Sequence, residues 1–325
     1  MGNNFIEDIR AKSKSKNLKV AFPDAEDARS IEASQVLLKE RIAKPVLVGN
    51  KDNIEKVARE HDLTLDGIEV VDPDKSELKD EFADQLYEKR KHKGMTPEEA
   101  MNNILDPLYF AGFMLENDKV SAAVGGNVSS TGNVLKAAIY SVGVAEGISI
   151  VSSFFIMVFP DKLYCFADCA VNPDPNDNQL ADIAISSAKN FESITSEKPK
   201  VAMLSFSTKG SAKHDHVDKV IAATNIVKEK APDLQIDGEL QLDAAILPKI
   251  GERKAPDSKV AGHANVLIFP DLDAGNIGYK LTQRLAGAEA VGPIVQGLKK
   301  PYCDLSRGCS TDDMVNVAAI CTLMA

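Results

Sequence analysis

Positive charge is in short supply in this sequence. Its 38 Lys and Arg stand against 48 Asp and Glu, for a formal net charge of −10. Binding along a nucleic-acid backbone needs a basic surplus, so that role is excluded, and any anionic ligand must be met by cations gathered locally. Cysteine is sparse as well. Cys165, Cys169, Cys303, Cys309 and Cys321 form an odd set without CxxC spacing, which points away from a disulfide framework or a zinc ribbon and toward reduced thiols. No apolar run approaches the length of about 20 residues that spans a bilayer. The opening Met-Gly-Asn-Asn-Phe-Ile has no signal-peptide core, no Arg-rich transit pattern and no Ser or Thr at the sixth position of a myristoylation signal. The expectation is a cytoplasmic protein with neither membrane nor nucleic acid as partner.

What is present is an ordinary globular composition: 325 residues, 44% hydrophobic and 26% charged, long enough to suggest more than one domain. Short β-branched runs alternate with amphipathic stretches from end to end, the pattern of strands joined by crossover helices, so an α/β fold is predicted. Strands are predicted at 18–22, 44–48, 67–71, 120–124, 201–206, 235–240, 264–269 and 290–295. Helices are predicted at 25–39, 53–60, 212–230 and 275–285, with segment 77–116 rich in helix. Two closely spaced β-rich runs at 148–159 and 162–167 suggest an antiparallel pair. The change of pattern near Gly143 sets the predicted boundary, with residues 1–143 plus about 294–325 in one domain and about 144–293 in the other. A loop at 303–309 leads into a final helix with Met314, Val317, Ala318 and Cys321 on one face.

Three loop-to-helix junctions, 125–136, 205–213 and 306–313, combine small residues, hydroxyls and a cation, as suits a helix N-terminus that receives phosphate. Hydroxyls at such places are more often plain caps. In the third junction Ser310 and Asp313 have capping-box spacing, which would make Asp313 a cap. Ser306, Arg307 and Cys309 are not explained by capping. Together with Asp313 they could supply an oxyanion donor, a phosphate clamp and a base. The run Lys89-Arg90-Lys91-His92-Lys93 fits a solvated helix end. His214 and His216, two apart, diverge on a helix and find no third ligand, so no metal site is expected.

Four segments taken in order resemble the phosphate acetyltransferase family: Phe166-Ala167-Asp168-Cys169-Ala170-Val171-Asn172-Pro173, Ser205-Phe206-Ser207-Thr208-Lys209-Gly210-Ser211, Phe269-Pro270-Asp271-Leu272-Asp273-Ala274-Gly275-Asn276-Ile277-Gly278-Tyr279-Lys280, and Asp304-Leu305-Ser306-Arg307-Gly308-Cys309-Ser310. The resemblance implies a two-domain α/β fold like that of isocitrate and isopropylmalate dehydrogenases, with the active site in the cleft between domains and a homodimer as assembly. It implies reversible acetyl transfer between coenzyme A and phosphate by direct thiolate attack in a ternary complex, with CoA as substrate and neither metal nor redox cofactor. Asp313 takes the place of the family's base, Ser306 that of its hydroxyl, and Arg307 and Arg90 those of its phosphate-region arginines. Further substrate contacts are expected from Lys136, Ser129, Ser130, Thr131, Ser207, Thr208, Asn276, Tyr279, Lys280, Arg284 and Cys309. The chain departs from the family pattern at Lys136, where an arginine is usual, at Ser129 for a common His, and at Asn133 for a common Asp. Alternatives are a butyryl- or propionyltransferase, an NAD-linked hydroxyacid dehydrogenase on the same fold, and a non-catalytic CoA-binding protein.

Overall fold

The computed structural model describes residues 5–325; residues 1–4, where the targeting reading begins, lie outside it. The chain runs through α1 (Phe5–Lys16), β1 (Lys19–Phe22), α2 (Ala28–Lys39), β2 (Lys44–Val48), α3 (Lys51–Glu60), β3 (Glu69–Val71), α4 (Lys79–Arg90), α5 (Pro97–Ile104), α6 (Pro107–Glu116), β4 (Ala122–Gly125) and α7 (Thr131–Ser141). It continues with β5 (Ser152–Val158), β6 (Leu163–Ala167), α8 (Asp177–Thr195), β7 (Lys200–Leu204), α9 (Asp215–Lys230), β8 (Gln235–Leu240), α10 (Leu242–Ile246), α11 (Pro248–Lys254), β9 (Val266–Ile268), α12 (Leu272–Ala286) and β10 (Glu289–Gln296). It closes with β11 (Tyr302–Asp304) and α13 (Thr311–Met324). Two compact units result, one made of Ile6–Val144 with Leu298–Ala325, the other of Ala145–Gly297. The chain returns to the first unit only after Gln296, because β10 pairs with β5 along its length.

The first unit is built on a parallel five-stranded sheet of order β11-β4-β1-β2-β3. Strands Val46–Val48 and Ala122–Val124 are apolar without alternation, as expected of a sheet covered on both faces. On one side Phe82, Phe110 and Phe113 pack together, with Phe82 and Phe110 rings 5.1 Å apart. On the other lies α13, buried at every position from Met314 to Leu323. The predicted single apolar face of this helix is therefore too narrow. It packs against α2, β4 and β11, and α1 meets it through Arg10 Nε to Asn316 Oδ1 (2.9 Å) and Ser13 Oγ to Thr322 Oγ1 (2.6 Å). Cys303, Cys309 and Cys321 are buried here outside any disulfide, as are Cys165 and Cys169 in the second unit.

The second unit holds a mixed six-stranded sheet, β10-β5-β6-β9-β7-β8. β5 and β6 form the expected antiparallel pair, and β6, β9, β7 and β8 are parallel neighbours. In the loop after β6, the buried Asp168 accepts from Ser153 Oγ (2.5 Å) and from the backbone N–H of Ala170 (3.0 Å) and Asn172 (2.9 Å). α12 lies close against this loop at Gly275, where a Cβ would stand 2.1 Å from the Asp168 carbonyl oxygen. No described helix is long and apolar enough to cross a membrane.

Candidate active site

In the five-stranded sheet β2 and β3 lie on one side of β1, and β4 and β11 on the other. The order in which strands are added therefore reverses between β1 and β4, and in open parallel sheets ligands bind beyond the carboxyl ends of the strands at such a switch. Three loops meet there: 23–27 after β1, 126–130 after β4 and 305–310 after β11.

The loop after β11 delivers α13. Ser310 is its N-cap, accepting from Asp313 N (3.1 Å), and the Asp313 carboxylate accepts in return from Ser310 N (2.9 Å) and Ser310 Oγ (2.8 Å). The capping box is thus fully made, with Asp in the place of the usual Glu. Ser306 and Arg307 are exposed. Ser306 Oγ accepts from Gly308 N at 3.3 Å. Among the described residues, neither its proton nor the Arg307 guanidinium has a hydrogen-bond partner. Cys309 is buried, and desolvation holds its thiol above the ordinary range even though Arg29 Nη1 lies 3.8 Å from its sulfur.

The loop after β4 has the form of an anion nest, but the protein's own carboxylates fill it. Asp24 Oδ2 accepts from the N–H groups of Gly126 (2.7 Å), Val128 (3.2 Å) and Ser129 (3.2 Å), and Asp24 Oδ1 from Ser129 Oγ (2.6 Å). Thr131 Oγ1 donates to Asp304 Oδ2 (2.6 Å), and Ser130 caps α7 through Asn133 N (3.3 Å). All three hydroxyls expected to meet substrate are engaged within the fold. Asp304 lies over Gly126, whose φ of +99° and a would-be Cβ 2.2 Å from Asp304 Oδ1 leave room only for glycine. Burial, only partly offset by the Thr131 bond and reinforced by the charge of Asp24, pushes Asp304 up to about 6.

A third constellation lies along α4 and α7. The basic run divides: Lys89 pairs with Glu116 and Lys91 with Glu88. Arg90 and Lys93 instead join Lys136 and Tyr140 in lining a pocket of about 450 Å³, with Asn102, Asn103 and Glu99 opposite. The Arg90 guanidinium carbon stands 3.8 Å and Lys136 Nζ 5.6 Å from the Tyr140 ring centroid, so both cations sit against the same aromatic ring. Arg90 Nε is buried without a hydrogen-bond partner.

In the second unit Ser207 and Thr208 are buried. Ser207 Oγ donates to Glu239 Oε1 (3.0 Å) and accepts from Ala212 N (3.1 Å), while Thr208 Oγ1 accepts from Gln241 N (2.9 Å). On α12, Asn276 Nδ2 donates to the Cys169 carbonyl (2.9 Å) and Asn276 Oδ1 accepts from Lys280 Nζ (2.8 Å). Tyr279 stacks on Phe155 with centroids 4.2 Å apart, and Arg284 is exposed.

A family model described as phosphate acetyl/butaryl transferase matches residues 4–322. The chain is 49% identical to a phosphate acetyltransferase of Acetivibrio thermocellus over 99% of its own length and 98% of the relative's, and 44% identical to one of Bacillus subtilis over 98% of each. The chain belongs to the phosphate acetyl/butaryl transferase family. Its fold matches a phosphotransacetylase from Streptococcus pyogenes with TM-score 0.94 at 38% identity (99% and 98% of the two chains), and the EutD phosphotransacetylase from Staphylococcus aureus with 0.92 at 40% (99% and 98%). A 4-hydroxythreonine-4-phosphate dehydrogenase from Salmonella typhimurium, 11% identical, shares the fold at TM-score 0.58, over 95% of this chain and 99% of that one.

Against the family expectations, the structure joins Ser306, Arg307, Cys309 and Asp313 at the head of α13, and joins Arg90 with Lys136 around Tyr140. The lining of the Arg90 pocket contains none of residues 306–313. One expectation needs qualifying by what the hydroxyls concerned already bind. Ser129, Thr131 and Ser207 donate to Asp24, Asp304 and Glu239, Thr208 Oγ1 accepts from Gln241 N, and Ser130 Oγ accepts from Asn133 N, so these hydroxyls are already engaged within the fold. Asp313 is exposed, so burial does not strengthen it as a base. Sequence reading missed Asp24, Arg29, Asp304 and Tyr140. Three of these sit at strand ends or a helix start of the switch-point loops, and Asp24-Ala25-Glu26-Asp27-Ala28-Arg29, polar directly after a buried strand, was the signal available.

Proposed function

We propose that this chain moves an acetyl group between coenzyme A and inorganic phosphate, with residues 306–313 as the reacting segment. The observation that carries this reading is the uncommitted pair Ser306 and Arg307 beside Asp313, at the α13 N-terminus and the switch point of the parallel sheet, in a member of this acyltransferase family. In the direction that consumes acetyl phosphate, Asp313 takes the proton of the CoA thiol, sulfur bonds to the acetyl carbon, and the carbon–oxygen bond to phosphate breaks, leaving acetyl-CoA and phosphate. Ser306 donates to the carbonyl oxygen as charge develops there. A thiol near 8.5 and a carboxylate near 4 leave full proton transfer uphill by roughly 6 kcal/mol. With Asp313 exposed, that gap is closed on the thiol side, by the Arg307 cation and the positive end of α13. The proposed reaction calls for neither a metal nor a redox group.

Arg90 and Lys136 supply the local positive charge that an acidic protein needs for an anionic substrate, with the Tyr140 ring against both. Asn276, Tyr279, Lys280 and Arg284 on α12 are carried in the same proposal as CoA contacts. A homodimer completes it. Ile277, Leu281 and Leu285 form an exposed stripe at 52–80% accessibility along one face of α12, an apolar surface suited to an isologous contact with a second copy. Light scattering on Leu281→Arg tests that assembly: the expected result is a halved molar mass. We place the enzyme in the cytoplasm. Rates with acetyl-, propionyl- and butyryl-CoA in the presence of phosphate test the activity itself. Acetyl-CoA is expected to give the highest kcat/KM; a butyryl preference or no acyl phosphate overturns the reading.

A further inference from the structure

Arg29, the second residue of α2, has no role in the chemistry above, yet it sits where the three switch-point loops meet. Its N-cap Asp27 holds it as a fork: Nε donates to Asp27 Oδ1 (3.0 Å) and Nη2 to Asp27 Oδ2 (2.9 Å), while Asp27 Oδ1 also caps Arg29 N (2.9 Å). The remaining N–H groups reach the other two loops. Nη2 donates to the Asn127 carbonyl (2.9 Å), and Nη1 to the carbonyls of Arg307 (2.9 Å) and Cys309 (2.8 Å). A guanidinium has five N–H donors in a rigid plane, and here every one has an acceptor. Burial works against the Asp27 carboxylate, but the hydrogen bonds and charge of Arg29 outweigh it and hold that group below its ordinary range, so the pair stays ionised.

We infer that Arg29 is a positioning residue for the reacting segment. It has no donor left for a substrate, so it acts through the backbone. By drawing the carbonyls of residues 307 and 309 toward itself and tying them to Asn127, it sets the course of the chain that carries Ser306, Arg307 and the α13 cap. No other side chain donates to those two carbonyls among the described residues. A lysine would keep the charge but could not bind Asp27 twice while reaching three carbonyls. The role is thus geometric, and a misplacement of about 1 Å at a reacting group can cost about a hundredfold in rate.

The inference rests on the proposed activity, and the test separates the two. Steady-state kinetics of Arg29→Lys and Arg29→Gln, with acetyl-CoA and phosphate and in the reverse direction, are paired with amide hydrogen exchange of residues 306–310 and with thermal melting. The expected result is a kcat at least tenfold below wild type in both variants. KM for CoA and phosphate should stay within threefold, with faster exchange confined to that segment and to residues 126–128. Asp27→Asn should reproduce the effect in smaller measure with Arg29 unchanged, which covers the case that an Arg29 variant does not fold. The inference is overturned if Arg29→Lys retains kcat within threefold, or if the loss falls in KM for phosphate while exchange is unaltered, which makes Arg29 a ligand-binding residue. A wild-type chain inactive toward acetyl-CoA and phosphate overturns the functional reading, and the exchange rates then decide the positioning role alone.

Discussion

Two helices of the first unit begin in nearly the same way. α7 and α13 each follow a strand of the parallel sheet, each is entered through a glycine-containing loop with several hydroxyls, and each has a serine N-cap. At α7 the carboxylates of Asp24 and Asp304 occupy the backbone nest and two of the hydroxyls. At α13 the carboxylate of Asp313 caps its own helix, and the side chains of Ser306 and Arg307 remain exposed. The difference teaches that a hydroxyl-rich helix start is not itself a ligand site. What matters is whether the fold has already supplied the anion. α7 contributes instead two turns further along, where Lys136 and Tyr140 face Arg90.

The largest effect expected from this contrast is at Asp313. Asp313→Asn keeps the shape and an acceptor for the cap but removes the base, so turnover in both directions should fall about 10²- to 10⁴-fold, with affinity for CoA little changed. Steady-state kinetics check it; wild-type turnover would leave Asp313 a cap alone. The matching change at the α7 end should appear in stability. Asp304 binds its proton more tightly folded, near 6, than unfolded, near 3.8, so its contribution favours the folded state at low pH and is lost as pH rises from about 4 through about 6. The displacement is worth roughly 3 kcal/mol. In Asp304→Asn the drop in unfolding free energy between pH 4.5 and 7.5 should therefore be smaller than in wild type. Denaturant titrations at the two pH values measure it, and parallel pH profiles would contradict the assignment.

Smaller effects belong to the pocket between α4 and α7. Lys136→Ala should weaken phosphate or CoA binding by about 1 to 2 kcal/mol, as for loss of a charge-assisted hydrogen bond, and Lys136→Arg should be tolerated. Arg90→Ala should also release the Tyr140 contact. Kinetics at low ionic strength read both, and unaltered KM values would return the two cations to a solvated surface. Smallest of all is Cys309→Ala. Burial works against a thiolate there, so activity should be largely kept and initial-rate plots should intersect; parallel plots with an acetylated enzyme would make Cys309 the nucleophile.

Much of this was legible before any coordinates. The alternation of apolar runs located most strands and the β5–β6 hairpin, because strand period and turn chemistry are local. α1 and α8 were not read, although α8 opens with a capping box of Asn176 and Gln179. β11 was taken for loop, since three residues after Pro301 carry no periodicity and become a strand only through pairing with β4. At the site, the sequence identified the residues that remain exposed, Ser306, Arg307 and Asp313. It could not show that Ser129 and Thr131 answer to Asp24 and Asp304, 105 and 173 residues away, because that match exists only once the strands are side by side. Arg29 was hidden for the same reason, its backbone acceptors lying 98 to 280 residues further along.

The contrast between the two helix starts is the centre of the account, and one paired measurement tests it most directly: the rate of acetyl phosphate formation from acetyl-CoA and phosphate for Ser306→Ala beside Ser129→Ala. Loss of an oxyanion donor costs roughly 2 to 4 kcal/mol of barrier, so Ser306→Ala should turn over about 30- to 1000-fold more slowly. Ser129→Ala, which loses only a bond to Asp24, should stay within threefold of wild type. Full activity in Ser306→Ala together with a deep loss in Ser129→Ala would move the reacting end from α13 to α7 and contradict the account.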